Sequence, residues 1–279
     1  MVDRDGVTVG VPPGSGWPED PATPNTPVAP DAAAVRVLAG TASSLAEKAA
    51  RESVCRACPR LVRWREHVAV GKRRSFQADT YWGRPVPSWG DDRPSILIIG
   101  LAPAAHGGNR TGRIFTGDRS GDFLFASLWR SGLATQPTSI AAGDGQRLSS
   151  VRMTAVVHCA PPDNKPLPSE RDACAPWLSA ELALTRSGLR VVVCLGHYAW
   201  TALWPHLLGL GYDVPRPRPA FGHGVEVVLS GSAGAGLTVF GCYHPSQQNT
   251  FTGRVTEPML DAVFSRARDI AAVPASGQR

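Results

Sequence analysis

Ser95-Ile-Leu-Ile-Ile-Gly-Leu101 holds four consecutive apolar residues, three of them β-branched, and then a glycine. A run of strand length with no polar position has no face to offer to water, so it reads as a strand covered on both sides. Val191-Val-Val-Cys-Leu-Gly196 repeats the form, and two further segments share it, which places expected strands at 96–100, 154–159, 191–196 and 237–243. Each is followed by a loop and then by a stretch of helical period, over 121–132, 169–187, 198–208 and 256–272. Strands and helices in this alternation make an α/β fold, a parallel sheet with helices on both faces. A further strand at 225–230, joined to Leu237 through Gly231-Ser-Ala-Gly-Ala-Gly236, is expected to form a hairpin at the sheet edge.

Ligands of such sheets collect where the C-terminal ends of the parallel strands open into loops. Three polar loops stand there: 101–118, Ala160-Pro-Pro-Asp-Asn-Lys-Pro166, and 244–253. In the first, glycines 107, 108, 112 and 117 surround Asn109, Arg110, Thr111 and Arg113, so the backbone can approach a ligand closely. It is neither a P-loop nor a dinucleotide fingerprint, because it lacks Gly-x4-Gly-Lys-Ser/Thr and the required glycine spacing. Asp118 precedes a helix and so suits an N-cap, or a general base that orients or deprotonates a water. Phe115 suits a loop anchor in the core or a platform for a flat ring. His244 follows the last strand, where a histidine is either satisfied structurally or donates to an oxygen gaining negative charge. Asn164 and Asn249 are turn residues, or amides matching a base edge or a phosphate.

Upstream of the sheet, residues 1–34 carry seven prolines and a single aromatic, Trp17, too little apolar material to offset the entropy of ordering, so a disordered tail is expected. From Ala32 to about Arg65 the pattern is helical and breaks around Pro59. The chain of 279 residues, 43% hydrophobic, is long enough for one sizeable core, and the folded domain is expected over 35–275. Its apolar runs fall far short of the roughly 20 residues of a membrane span. The start, Met1-Val-Asp-Arg-Asp, lacks the basic and apolar segments of a secretory signal, so a cytosolic location is expected. Net charge is +6, but residues 1–30 hold −3, which leaves +9 on the remainder, and 26 of the 29 basic residues are arginine. That balance suits phosphate and nucleic acid, and it also serves plain solubility. The run Arg51, Arg56, Arg60, Arg63, Arg65, Lys72, Arg73 and Arg74 is either a phosphate-contacting surface or a solvated face.

Six cysteines in a chain of this size and setting do not imply disulfides. Cys194 and Cys242 lie inside apolar strands and read as small buried hydrophobes. Cys55 and Cys58 form Cys-x2-Cys at the helix break, and Cys159 and Cys174 flank a strand end and a helix start. These four can converge on one centre, and four thiolates suit tetrahedral zinc or an iron–sulfur cluster, a choice that ligand type leaves open.

Taken together, Gly100-Leu-Ala-Pro-Ala-Ala-His-Gly-Gly-Asn-Arg-Thr-Gly-Arg-Ile-Phe-Thr-Gly-Asp118, the spacing of four cysteines, and His244-Pro-Ser-Gln-Gln-Asn249 resemble family 5 uracil-DNA glycosylases, the UDGb type, over roughly residues 50–270. Most other families of that superfamily place an acid or amide shortly after the first glycine, where this chain has Ala102, Pro103 and Ala104. The resemblance implies a three-layer α/β/α sandwich on a four-stranded parallel sheet and a structural [4Fe–4S] cluster on Cys55, Cys58, Cys159 and Cys174. It also implies removal of uracil, and of other deaminated bases, from DNA by a monofunctional, monomeric enzyme. By the same likeness Asp118 handles the attacking water, His244 stabilises the departing base and Phe115 stacks on it. Ala102, Asn164 and Asn249 line or support the base site, and Pro245-Ser-Gln-Gln presses into the minor groove. The sequence does not reveal a protein partner, although the Pro-rich tail could hold a docking segment. Two rivals remain at this stage: a non-catalytic, zinc-stapled nucleic-acid-binding protein, and a hydrolase of small nucleotides using Asp118 and His244.

Overall fold

A computed structural model describes residues 10–231 and 236–272. Its sheet has six strands in the order β1-β3-β2-β4-β6-β5: β1 (Trp89–Gly90), β2 (Ile96–Gly100), β3 (Val151–Ala155), β4 (Val191–Leu195), β5 (Glu226–Leu229) and β6 (Leu237–Cys242). The four inner strands are parallel, as expected. Two antiparallel edges complete the sheet: β5, which is the expected hairpin strand, and the two-residue β1, too short to leave a pattern in the sequence. Residues 232–235 of the hairpin connection lie outside the described residues.

Alternation along the strands shows why every position had to be apolar. Ile96, Ile98, Val191, Val193, Phe240 and Cys242 enter the core on one face, and Leu97, Ile99, Val192, Cys194, Leu237 and Val239 enter the core on the other. Each such side chain contributes roughly 1.5–3 kcal/mol by leaving water. The first face is covered by α5 (Arg119–Arg130) and α9 (Glu257–Ala272) through Leu124, Phe125, Leu128, Leu260, Val263 and Phe264. The second is covered by α6 (Pro168–Thr185) and α7 (His197–Gly209) through Leu178, Leu182, Trp200, Leu203 and Trp204. Upstream of the sheet, α1 (Ala32–Gly40), α2 (Leu45–Ser53) and α3 (Pro59–Gly71) follow one another. Two short helices, α4 (Gly108–Thr111) and α8 (Gln247–Phe251), lie in the polar loops. No helix of the described residues is long and apolar enough to cross a membrane.

Two expectations are corrected. The strand expected at 154–159 begins at Val151, because Arg152 is drawn into the sheet by a buried ion pair with Glu181. Beyond Ala155 the chain still follows β2, with the Val156 and Val157 amides donating to the Gly100 and Leu101 carbonyls at 3.0 Å each. The disordered tail does not hold for residues 10–31, which pack on the body; residues 1–9 lie outside the described residues. Arg84 donates to both oxygens of Asp20 at 2.8 and 2.9 Å, the Val11 amide donates to the Trp82 carbonyl, and the Trp17 ring lies 5.9 Å from that of Trp82. Too apolar-poor to build a core, the segment borrows one from a surface some 60 residues away, and its prolines reduce the entropy lost in docking.

Arg152, Glu181, Lys48, Glu52 and His158 form a buried ionic network between α2, β3 and α6. Lys48 Nζ lies 2.6 Å from Glu52 and 2.8 Å from Glu181, all three without solvent exposure. His158 Nε2 lies 2.9 Å from Glu52.

Candidate active site

A cavity of about 250 Å³ opens where β2 and β3 end and the chain leaves β6. Among its lining residues are five of the six expected at the site: Ala102, Phe115, Asp118, Asn164 and His244. Gly100 closes β2 there because the Phe115 ring lies against it; a Cβ on Gly100 would stand 2.5 Å from Phe115 Cζ. Phe115 thus both anchors the loop and presents a flat wall, with its backbone held at φ +51°. The hydroxyl residues Ser120 and Ser246 also line the cavity; Ser246 belongs to the His244-Pro-Ser-Gln-Gln stretch, whereas no pattern in the sequence singled out Ser120.

Asp118 caps a helix and lines the cavity with the same carboxylate. As N-cap of α5, its Oδ1 accepts the Gly121 amide at 3.0 Å, while Oδ2 lies over Gly107, so near that a Cβ there would be 2.1 Å away. Only glycine at 107 leaves room for the carboxylate. Burial raises the Asp118 carboxyl above its ordinary value of 3.8, against the pull of the Gly121 and Ser120 amides. A carboxylate raised in this way is a better proton acceptor than one in water.

Burial lowers the His244 imidazole to about 4, so the ring is neutral at pH 7 and offers one N–H. Its ring centre is 6.2 Å from that of Phe115, which puts the flat wall and the donor on one cavity. Asn249 is not among the described lining residues. Its Nδ2 donates to the His244 carbonyl at 2.9 Å, and its amide donates to Ser246 Oγ, so it braces the histidine loop from behind.

Outside the cavity, and sharing Ala104, Asp118 and Asn164 with it, runs a groove of about 740 Å³ that also holds Trp64, Arg73, Phe76, His106, Arg119 and Gln247. Two arginines of the first loop do not reach into it as ligand contacts. Arg110 is tied to Asp79, His106 O and Gly117 O, and buried Arg113 is tied to Asp144, Ser139 and Thr116. The expected basic run is likewise divided. Arg51 pairs with Glu47, Arg56 with Glu66 and Arg60 with Glu170, Arg65 is buried, and half-buried Lys72 donates to the Gln77 carbonyl, which leaves Arg63, Arg73 and Arg74 exposed at the surface. Periodicity within 51–74 carries no sign of partners as distant as Glu170.

Cys55, Cys58, Cys159 and Cys174 come together around one small cavity of about 20 Å³, with Arg65, His158 and Trp177. Arg65 NH1 donates to Cys159 Sγ at 2.9 Å and to Cys55 O at 3.2 Å, while Arg65 Nε is buried without a hydrogen-bond partner among the described residues. Among the described residues no group of three or more His, Cys, Asp or Glu stands arranged to hold a metal ion. Burial raises the Cys55 thiol to about 11 and the Cys58 thiol to about 12. Ionising them together needs a compensating positive charge, which a bound metal centre supplies and buried Arg65 begins to supply. Cys194 and Cys242 are buried in β4 and β6, as expected of small hydrophobes.

Residues 87–268 match the model of the uracil DNA glycosylase superfamily. The chain is 58% identical over 263 residues to a Type-5 uracil-DNA glycosylase of Mycobacterium tuberculosis, covering 94% of this chain and 95% of that one. It is 47% identical over 219 residues to the Type-5 protein of Thermus thermophilus, covering 78% and 94%. With a Type-4 uracil-DNA glycosylase of Archaeoglobus fulgidus it shares 31% over 115 residues, covering 41% and 49%. By the family model over 87–268 and by its likeness to these Type-5 proteins along most of its length, the chain belongs to the Type-5 family of the uracil-DNA glycosylase superfamily.

Proposed function

We propose that this chain excises uracil from DNA by hydrolysing the bond between N1 of the base and C1′ of the sugar, leaving an abasic site. The observation that carries the reading is one cavity holding a buried carboxylate, a neutral histidine and a flat aromatic wall. A base inside a duplex is out of reach of such a cavity, so the nucleotide is first turned out of the stack. Phe115 receives the face of the base and Asn164 its polar edge. As the bond breaks, the electron pair moves onto the base, and the His244 N–H donates to the oxygen where that charge gathers. The Asp118 carboxylate steadies the cationic sugar, holds the water that adds to C1′ and takes its proton.

Ala102 offers no polar group to select one base edge strictly, so other deaminated bases are also substrates. No lysine lines the cavity among the described residues, which leaves no amine for a Schiff base and makes the enzyme monofunctional. Cys55, Cys58, Cys159 and Cys174 would hold a [4Fe–4S] cluster, which would supply a structural staple between the α2–α3 break, the end of β3 and α6. Arg65, donating to a cysteine sulfur and with one donor still unmet, fits a cluster of thiolate ligands. The protein acts as a monomer, and its place is with the DNA in the cytosol or nucleoid. The zinc-stapled, non-catalytic rival is not favoured, since it leaves the cavity unexplained.

The test is a duplex carrying one uracil opposite guanine, incubated with purified protein and then heated in alkali. Scission at the uracil that depends on alkali, and that is absent with Asp118→Ala, is the expected result. No scission, with the cysteine site filled, returns the binding-protein reading. A brown protein with visible absorption and four irons per chain supports the cluster, and a colourless one with stoichiometric zinc refutes it.

A further inference from the structure

Trp17 is the single aromatic residue among the first 34, and it lines neither the cavity nor the outer groove. It packs instead on the core beneath one face of the sheet, and Phe115 packs on the same core. The segment that carries it is fastened beside it, through the buried pair of Asp20 and Arg84.

Gly112, the left-handed cap of α4 at φ +76°, is where this segment meets the first loop. A Cβ there would stand 2.9 Å from Trp17 Nε1 and 3.1 Å from Trp82 Cδ2, so two indole rings close on one residue. Trp82 is itself tied to α4, its amide donating to the Arg110 carbonyl at 3.0 Å. Trp17 Nε1 is buried without a hydrogen-bond partner among the described residues, so shape seats the ring and no polar tie does. Two residues on, Glu19 Oε1 accepts from the Gly143 amide at 3.1 Å and lies 3.5 Å from Arg113 NH1. Arg113 is 1% exposed, and its remaining donors hold Thr116, Ser139 and Asp144. The two contacts therefore fall on Gly112 and Arg113, three and two residues before Phe115. Phe115 sits at φ +51°, a conformation that a bulky side chain keeps only where its surroundings impose it.

We propose that Trp17 is a positioning residue of the base site, a role that rests on the glycosylase reading above. With Glu19 it holds Gly112 and Arg113 so that the turn keeps its strained backbone and the Phe115 ring stands in place before the base arrives. Residues 10–31 are then a strap on the active-site loop as well as a covering of the core.

The experiment is single-turnover excision of uracil opposite guanine by the wild-type protein, Trp17→Ala, Trp17→Phe and Glu19→Ala, with the two alanine variants also made in Phe115→Ala. At saturating enzyme Trp17→Ala is expected to lose about tenfold in rate and Glu19→Ala about threefold. The enzyme concentration at half-saturation is expected to stay within about twofold, since neither side chain lines the cavity or the groove. Trp17→Phe, which keeps a flat ring, is expected to recover most of the rate. In Phe115→Ala both losses are expected to vanish, because no ring remains to be held. The same factor lost in both backgrounds, as from a general weakening of the fold, overturns the proposal, and so does a wild-type rate in both alanine variants. Should Trp17→Ala fail to fold, Glu19→Ala at its exposed position reads the same coupling. A wild-type protein that excises no uracil overturns the glycosylase reading itself, a result distinct from a wild-type protein that works and variants that work equally well.

Discussion

Replacing Gly107 with alanine acts on Asp118 without touching it chemically. The new Cβ would stand 2.1 Å from Asp118 Oδ2 and 3.0 Å from its Cγ, and real Cβ atoms do not approach a neighbour within 3.0 Å. The carboxylate therefore moves by about 1 Å, a displacement that can cost about 10²-fold in rate when the group must meet a water and a sugar. Stability changes little, because the moving atoms are the end of a side chain; at most the bond from the Gly121 amide to Oδ1 is lost, about 1 kcal/mol for a helix cap. Single-turnover excision on uracil opposite guanine is the assay, with urea unfolding as control and Asp118→Ala as second background. Gly107→Ala is expected to lose about 10²-fold in the wild-type background and almost nothing in Asp118→Ala, where no carboxylate remains to displace. A normal rate for the single variant, or the full loss in both backgrounds, would refute the argument that Gly107 exists to seat that carboxylate.

Substitutions at three other residues probe the rest. His244→Ala should lower turnover about 10²-fold by removing the donor to the departing base, measured under single-turnover conditions. The same residue links stability to pH: folded His244 takes its proton only near 4 while an unfolded histidine takes it near 6.5, so the unfolded chain is protonated first. Stability from this site is complete above 6.5 and falls by about 3 kcal/mol as pH drops to 4. Urea midpoints at pH 7 and 4.5 should therefore differ less in His244→Gln than in the wild type, and an equal difference would dismiss the linkage. Lys48→Met leaves Glu52 and Glu181 buried without their shared cation and should cost about 3–5 kcal/mol in urea unfolding. A cost under 1 kcal/mol would mean that water reaches the network. Cys58→Ser should abolish visible absorption and lower the melting temperature, since metal binding is coupled to folding; unchanged iron content would remove Cys58 from the ligand set.

Periodicity in the chain itself determined the strands β2, β4 and β6 and the helices α5, α6, α7 and α9, because a strand apolar on both faces and a helix apolar on one are local consequences of burial. The same reading located the mouth of the sheet, and with it Phe115, Asp118, Asn164 and His244, since residues just after parallel strands have to share one end of the sheet. Only the tertiary structure decided which charges are available. Arg60 meets Glu170 across 110 residues, and Arg65 meets Cys159 across 94. Composition counts charges and cannot pair them. The docking of residues 10–31 belongs to the same class: those residues look too poor in apolar material to order because the surface that orders them, around Trp82 and Arg84, lies elsewhere in the chain. So does the bracing role of Asn249, which depends on a carbonyl five residues back being turned toward it. Local pattern records what each segment buries; partners distant in sequence are settled only when the segments meet.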